Sequence, residues 1–215
     1  MYRLCAFDLD GTLVNTLHDI ADALNWALRS LGLPQHAEDD IRMMVGDGMR
    51  NLCAKALPPG CGVRPDALEA VYGARYLERC CERSAPYPGV AALLGELSRA
   101  GILLAVVTNK HHGQAERVMA RYFPGTRFDQ IVGQSARFPK KPAPDALLWV
   151  TAQCGVPAYE TLVVGDSSVD VQLAHNAGVL CAGVSWGFRG RAHLEDAGAD
   201  YVCDTADALR ALLLG

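Results

Sequence analysis

Leu4-Cys5-Ala6-Phe7-Asp8-Leu9-Asp10-Gly11-Thr12 decides how this chain folds. Four apolar residues run together and then stop at two aspartates and a glycine, the texture of a short buried strand ending in a polar turn. A strand with one wet face alternates apolar and polar residues. A continuous apolar run is covered on both faces, as in a parallel sheet. The same texture returns at residues 102–107, 130–132, 161–164 and 180–184. Helical patterns separate these runs at 90–100, 114–122, 145–154 and 169–176, and two short helices close the chain. Strands alternating with helices predict an α/β fold with a doubly wound parallel sheet.

The stretch after the first turn reads differently. Over residues 16–31, Leu17, Ile20, Leu24, Ala27, Leu28 and Leu31 share one helical face, with His18, Asp22, Asn25 and Arg29 opposite. Helical patterns continue over 38–45, 49–57 and 66–83, with no strand between them. Gly46-Asp47-Gly48 and Pro58-Pro59-Gly60 punctuate that series. The expected organisation is an α/β core built from 1–14 and 86–215, interrupted by an all-helical cap at 15–85.

Composition narrows the function. The chain has 215 residues, half of them apolar and a fifth charged, which excludes intrinsic disorder. Its net charge of −4 argues against holding nucleic acid by phosphate neutralisation. No apolar run approaches the roughly 18 residues needed to span a bilayer, so no membrane partner is expected. Asp8 interrupts the N-terminal apolar run before a signal-peptide core forms. The eight cysteines show no CxxC pair and several sit inside apolar runs, so reduced thiols and a cytoplasmic setting are expected. A monomer or a homodimer is compatible with all of this.

In an open parallel sheet, ligands bind beyond the carboxyl ends of the strands, near the point where strand order reverses. Polar residues gather at those ends here: Asp8 and Asp10, then Thr108-Asn109-Lys110, then Gly165-Asp166-Ser167-Ser168 with Asp170 beyond. Lys140-Lys141-Pro142 precedes the helix at 145. Singly, each residue has a plain structural role as a helix cap, a strand end or a solvated charge. All four groups on one sheet edge are hard to explain that way. Asp8, Asp10 and Asp166 crowd three carboxylates together, which calls for a cation or raised pKa values. Without a matching set of cysteines and histidines, a hard oxygen-seeking ion such as Mg²⁺ fits best. Lys141 and the Thr108 hydroxyl then suit an anion brought to that metal, the apparatus of phosphoryl transfer. One carboxylate can act as nucleophile and a second, two residues along, as general acid and then base.

Asp8-Leu9-Asp10-Gly11-Thr12-Leu13, Val107-Thr108-Asn109-Lys110, Lys141-Pro142 and Gly165-Asp166-Ser167-Ser168-Val169-Asp170 resemble the four ordered motifs of the haloacid dehalogenase superfamily. The helical insertion after the first motif resembles that superfamily's cap. Val45-Gly46-Asp47-Gly48-Met49-Arg50-Asn51-Leu52 and the Thr108-Asn109-Lys110 form of the second motif are similar to phosphoglycolate phosphatases. The resemblance implies a Mg²⁺-dependent phosphatase acting on a small phosphorylated metabolite, with 2-phosphoglycolate a candidate, through an aspartyl-phosphate. It implies Asp8 as nucleophile and metal ligand, and Asp10 as acid/base lending its backbone carbonyl to the metal. Thr108, Asn109 and Lys141 would bind phosphate, Asp166 would bind Mg²⁺ and Asp170 would support it. In the cap, Gly46 and Gly48 permit close approach, and the Arg50 fork suits a substrate carboxylate.

Rival readings remain open at this stage. A sugar-phosphate mutase can be built on the same core, and a phospho-acceptor receiver domain also joins clustered aspartates to a Thr and a Lys. The large insertion and the order of the motifs disfavour the receiver. Filled catalytic positions disfavour a non-catalytic binding protein, and the presence of Asp10 disfavours dehalogenation. Among residues set aside, Lys140 reads as solvated, His111-His112 as a helix start, and Cys80-Cys81 as half core and half surface within one helix. Trp26 and Trp149 read as core, and Trp186 as a candidate for the site's mouth.

Overall fold

The structure, a computed structural model, describes residues 2–215; Met1, the first residue of the expected core segment, lies outside the described residues. Six parallel strands form the sheet: β1 (Leu4–Phe7), β4 (Leu103–His111), β5 (Gln130–Gln134), β6 (Thr161–Gly165), β7 (Leu180–Val184) and β8 (Tyr201–Cys203). Their spatial order is β5-β4-β1-β6-β7-β8. The chain leaves β1 toward β4 and β5, then returns to β1's other side with β6, so strand order reverses at β1. Phe7 lies opposite Val106 on one side and Val164 on the other. That register brings the residues following β1 and β6 level with Thr108.

Both faces of the sheet are covered, which explains the unbroken apolar runs. Cys5 and Phe7 pack toward α5 (Val90–Arg99), α6 (His112–Tyr122) and α10 (Ala206–Leu214). Leu4 and Ala6 pack toward α7 (Asp145–Cys154), α8 (Ser168–Ala177) and α9 (Arg191–Asp196). β8 and the 3₁₀ turn at Ala158–Glu160 go beyond the sequence reading, because three-residue elements carry no usable periodicity.

Between β1 and β4 lie α1 (Leu17–Ser30), α2 (Glu38–Met44), α3 (Met49–Ala56) and α4 (Pro65–Arg79), which share a core of their own around Leu24, Ile41, Leu52, Leu68 and Tyr76. The two chain crossings between this helical unit and the sheet run side by side. β2 (Val14–Asn15) pairs antiparallel with β3 (Ala85–Pro86), joining Val14 to Pro86 and Asn15 to Ala85. No strand was expected there, since two residues cannot display a period.

The structure corrects other readings. α4 stops at Arg79 instead of running to 83, and Cys81 adopts φ 76°, so Cys80 and Cys81 do not share a helix. The buried Asp19 carboxylate takes the N–H groups of Cys81 (2.9 Å), Arg83 (2.9 Å) and Ser84 (3.0 Å), and the Ser84 hydroxyl as well. Trp26 is 36% exposed beneath the Arg75 guanidinium rather than core. Trp149 is half-buried, with Arg137 4.1 Å from its ring centre. Trp186 packs against Tyr87 and donates to the Thr12 carbonyl (3.0 Å), away from the cleft.

Candidate active site

Asp8 leaves the sheet directly after β1, its N–H bound to the Val164 carbonyl of β6 (2.8 Å). Its carboxylate pairs with Lys141 at 2.9 Å, and Lys141 also holds Asp170 at 2.7 Å. Burial opposes the Lys141 charge, but Asp170 and Asp8 outweigh it and raise the lysine's pKa. Lys141 is aimed by Asn109, whose side chain accepts the Lys141 N–H (2.8 Å) and donates to the Lys141 carbonyl (3.1 Å). The Asn109 side-chain amide is thus committed to protein backbone, while the residue itself lines the cleft.

Asp166 lies one residue beyond β6 and is 2% exposed. It accepts the Phe188 N–H (2.7 Å) and the Thr12 hydroxyl (3.1 Å). Burial first, then Asp170 and Asp8, pushes its pKa up to about 8 against those two donors. Burial also raises Asp170, with Lys141 pulling the other way, while Ser167 binds its second oxygen at the head of α8. Two glycines make room for Asp166. A Cβ on Gly11, which sits at φ +87°, or on Gly187 would collide with its carboxyl group.

Asp8, Asp166 and Asp170 each offer an oxygen within 4.8 Å of the others. A buried three-carboxylate cluster with one lysine, its Asp166 pKa driven up by burial and then by the neighbouring carboxylates, fits a hard divalent cation such as Mg²⁺. The sequence reading assigns Asp10 to the metal through its backbone carbonyl, and its side chain is placed elsewhere. The Asp10 carboxylate is not in the cluster; both its oxygens meet Lys110 (2.8 and 3.0 Å), and Thr16 donates to it (2.6 Å).

These groups open into a cleft whose inner space measures about 50 Å³. That inner space suits a few waters or a small polar group. Asp8, Asp10, Thr108, Lys110 and Asp166 line the sheet side; Gly46, Gly48, Met49, Leu52 and Tyr72 line the helical side. Thr108 faces the cleft and accepts the Lys110 N–H (3.2 Å). Gly46 and Gly48 therefore lie where expected. Arg50 does not, because its guanidinium pairs outside the cleft with Asp66 at 2.7 Å and is 63% exposed.

The sequence reading passed over three positions. Lys110 is buried and also faces the Tyr76 ring at 4.4 Å. Strand alternation places residues 108 and 110 on one side, so the signal was present and unused. Phe188 and Arg189 line the cleft from a loop whose shape no local pattern reveals. Lys140, read as solvated, donates to the Asp47 carbonyl across the cleft's rim (2.9 Å).

A buried carboxylate cluster anchored by a lysine at the switch point of a doubly wound sheet, beneath a helical insertion, is the site of a hydrolase. The chain belongs to the haloacid dehalogenase-like hydrolase family, whose model matches residues 5–184. It is 33% identical to the phosphoglycolate phosphatase of Pasteurella multocida over 211 residues, 94% of each chain. It is 36% identical to that of Pseudomonas putida over 218 residues, covering 99% of this chain and 79% of that one. The crystal structure of a protein assigned as a phosphoglycolate phosphatase from Lactobacillus delbrueckii subsp. bulgaricus superposes with a TM-score of 0.92. That structure is 29% identical and covers 100% of this chain and 99% of its own.

Proposed function

We propose that this enzyme is a Mg²⁺-dependent phosphatase that hydrolyses a small phosphomonoester of the 2-phosphoglycolate type through an aspartyl-phosphate. One observation carries the reading: the Asp8 carboxylate stands at the end of β1, held at 2.9 Å by Lys141 and flanked by Asp166 and Asp170. Asp8, Asp166 and Asp170 would hold Mg²⁺, which supplies charge neutralisation for the phosphoryl oxygens.

Asp8 attacks phosphorus while the substrate's ester oxygen leaves; water then attacks the acyl-phosphate and regenerates Asp8 with inorganic phosphate. Asp10, two residues on, gives its proton to the departing oxygen and later takes one from the water. Lys110, paired with both Asp10 oxygens, fixes the orientation of that carboxyl group. Lys141 holds Asp8 in place and, with the Thr108 hydroxyl, meets the phosphoryl oxygens. The helical unit at 15–85 serves as a cap on the core of 1–14 and 86–215, excluding bulk water and selecting the group attached to phosphate. A narrow inner cleft favours a short substrate, and the curated relatives' names point to 2-phosphoglycolate.

The test is hydrolysis of 2-phosphoglycolate and of a neutral aryl phosphate by chelator-stripped enzyme with and without added Mg²⁺. Activity should require the metal, and kcat/KM should favour 2-phosphoglycolate. Asp8→Asn should lose several orders of magnitude on both substrates while the fold survives. Full turnover by Asp8→Asn, shown free of deamidation, would refute the nucleophile assignment.

A further inference from the structure

The helical unit and the sheet have separate hydrophobic cores and are joined by two short linkers, so something must hold them face to face over the cleft. The structure places three side chains of the core on one stretch of the helical unit, the end of α2 and the loop after it. Arg189 donates from Nη1 to the Arg42 carbonyl (2.8 Å) and from Nη2 to the carbonyls of Met43 (3.2 Å) and Val45 (2.6 Å). Asn109 donates to the Gly46 carbonyl (3.1 Å) and Lys140 to the Asp47 carbonyl (2.9 Å). Five carbonyls within six consecutive residues are thus taken by donors from three different core segments.

The chemistry suits a clasp that opens. The last carbonyls of a helix have no partner within it and carry its negative pole, so a guanidinium is matched to them in both charge and geometry. Met43 is exposed, so its carbonyl can turn to water when parted from Arg189. Arg189 is moreover coupled to the catalytic cluster through the adjoining residue. The Phe188 N–H binds Asp166 at 2.7 Å, while its side chain packs against the helical unit's own core. Gly187 cannot shift freely, since a Cβ there would meet Asp166 and the Gly11 carbonyl.

We infer that Arg189 is the positioning residue that latches residues 42–47 over the cleft, with Lys140 and Asn109 as auxiliary hooks. This latch rests on the phosphatase reading only for its consequence in turnover; the clasp itself is a property of the structure. It presents Gly46 and Gly48 to the substrate. Gly48 holds φ +85°, a conformation that residues with a Cβ rarely adopt, so a side chain there would strain the segment.

The experiment uses the full-length enzyme and limited trypsinolysis. The Arg42–Met43 bond is a tryptic site whose carbonyl is held by Arg189. Arg189→Gln should raise the cleavage rate at this bond by about tenfold or more, the weight of one charge-assisted hydrogen bond. Cleavage after Arg99 in the core should not follow, and Arg191→Gln in the next helix should leave the Arg42 site protected. Lys140→Ala should shift the same bond in the same direction by a smaller factor, which keeps the test alive if Arg189→Gln does not fold. Arg189→Lys, which keeps the charge but not the fork, should restore only part of the protection. In turnover, Arg189→Gln should raise KM for 2-phosphoglycolate more than it lowers kcat. Unchanged protection at Arg42, or cleavage there rising only in step with Arg99, would overturn the latch. Absence of 2-phosphoglycolate turnover in the wild type would overturn the substrate reading and leave the proteolytic result standing.

Discussion

Replacing Asp19 should cost this protein more stability than its position on the first turn of α1 suggests. The carboxylate is 5% exposed and gathers four donors from residues 81–84, far away in sequence. Those donors end α4 early and turn the chain into β3, and Tyr122 secures the same turn by donating to the Ser84 carbonyl (2.7 Å). In Asp19→Ala, water can reach the N–H groups of the half-buried Cys81 and the exposed Arg83, but Ser84 is buried and its N–H and hydroxyl lose their partner. One to two unmet donors plus the lost charge-assisted bonds amount to about 3 kcal/mol. Asp19→Asn keeps the shape but turns one oxygen into a donor facing an N–H, for about 1–2 kcal/mol. With a urea slope of about 2–3 kcal/mol/M, the unfolding midpoint should fall by about 1 M in the alanine variant and about half that in the asparagine variant. Urea titration followed by circular dichroism measures both. A shift below about 0.2 M for alanine, or equal shifts for the two, would show that the carboxylate does not hold this turn.

Gly187→Ala should reduce kcat/KM by about 100-fold, the usual cost of a displacement near 1 Å, because the new methyl collides with Asp166 and the Gly11 carbonyl; steady-state kinetics on a well-folded variant checks it, and wild-type turnover would refute it. Stripped of metal, the protein should lose stability as pH rises from about 4 to about 8. Folding lifts Asp166 to about 8, so over that window the folded state keeps a proton that the unfolded chain has released. Thermal melts in chelator should show the slope and Asp166→Asn should flatten it; a flat wild-type profile would contradict the raised pKa.

How much of this was legible in the sequence varies from residue to residue. The apolar runs at 4–7 and 161–164, the acidic turns after them and Lys141 before Pro142 were readable, because period and motif are local. So were the helical texture of 15–85 and the nearness of Asp8 to Asp166, since both follow strands whose apolar runs demand a common parallel sheet. Side-chain commitments were not. Arg50 looked available for substrate and is paired with Asp66, while Asn109 looked aimed at phosphate and is bound to backbone. Asp10 was legible as a polar strand end, but nothing local showed that its carboxylate meets Lys110.

Those outcomes depend on which groups meet across distances of up to 100 residues, as Lys110 meets Asp10. Sequence by itself determined the longer elements and the layering, because burial periodicity and backbone preference act within a few residues. Tertiary structure alone decided which donor meets which acceptor. A buried charge takes whichever partner the fold delivers within about 3 Å, and leaving it without one costs more than any local preference supplies.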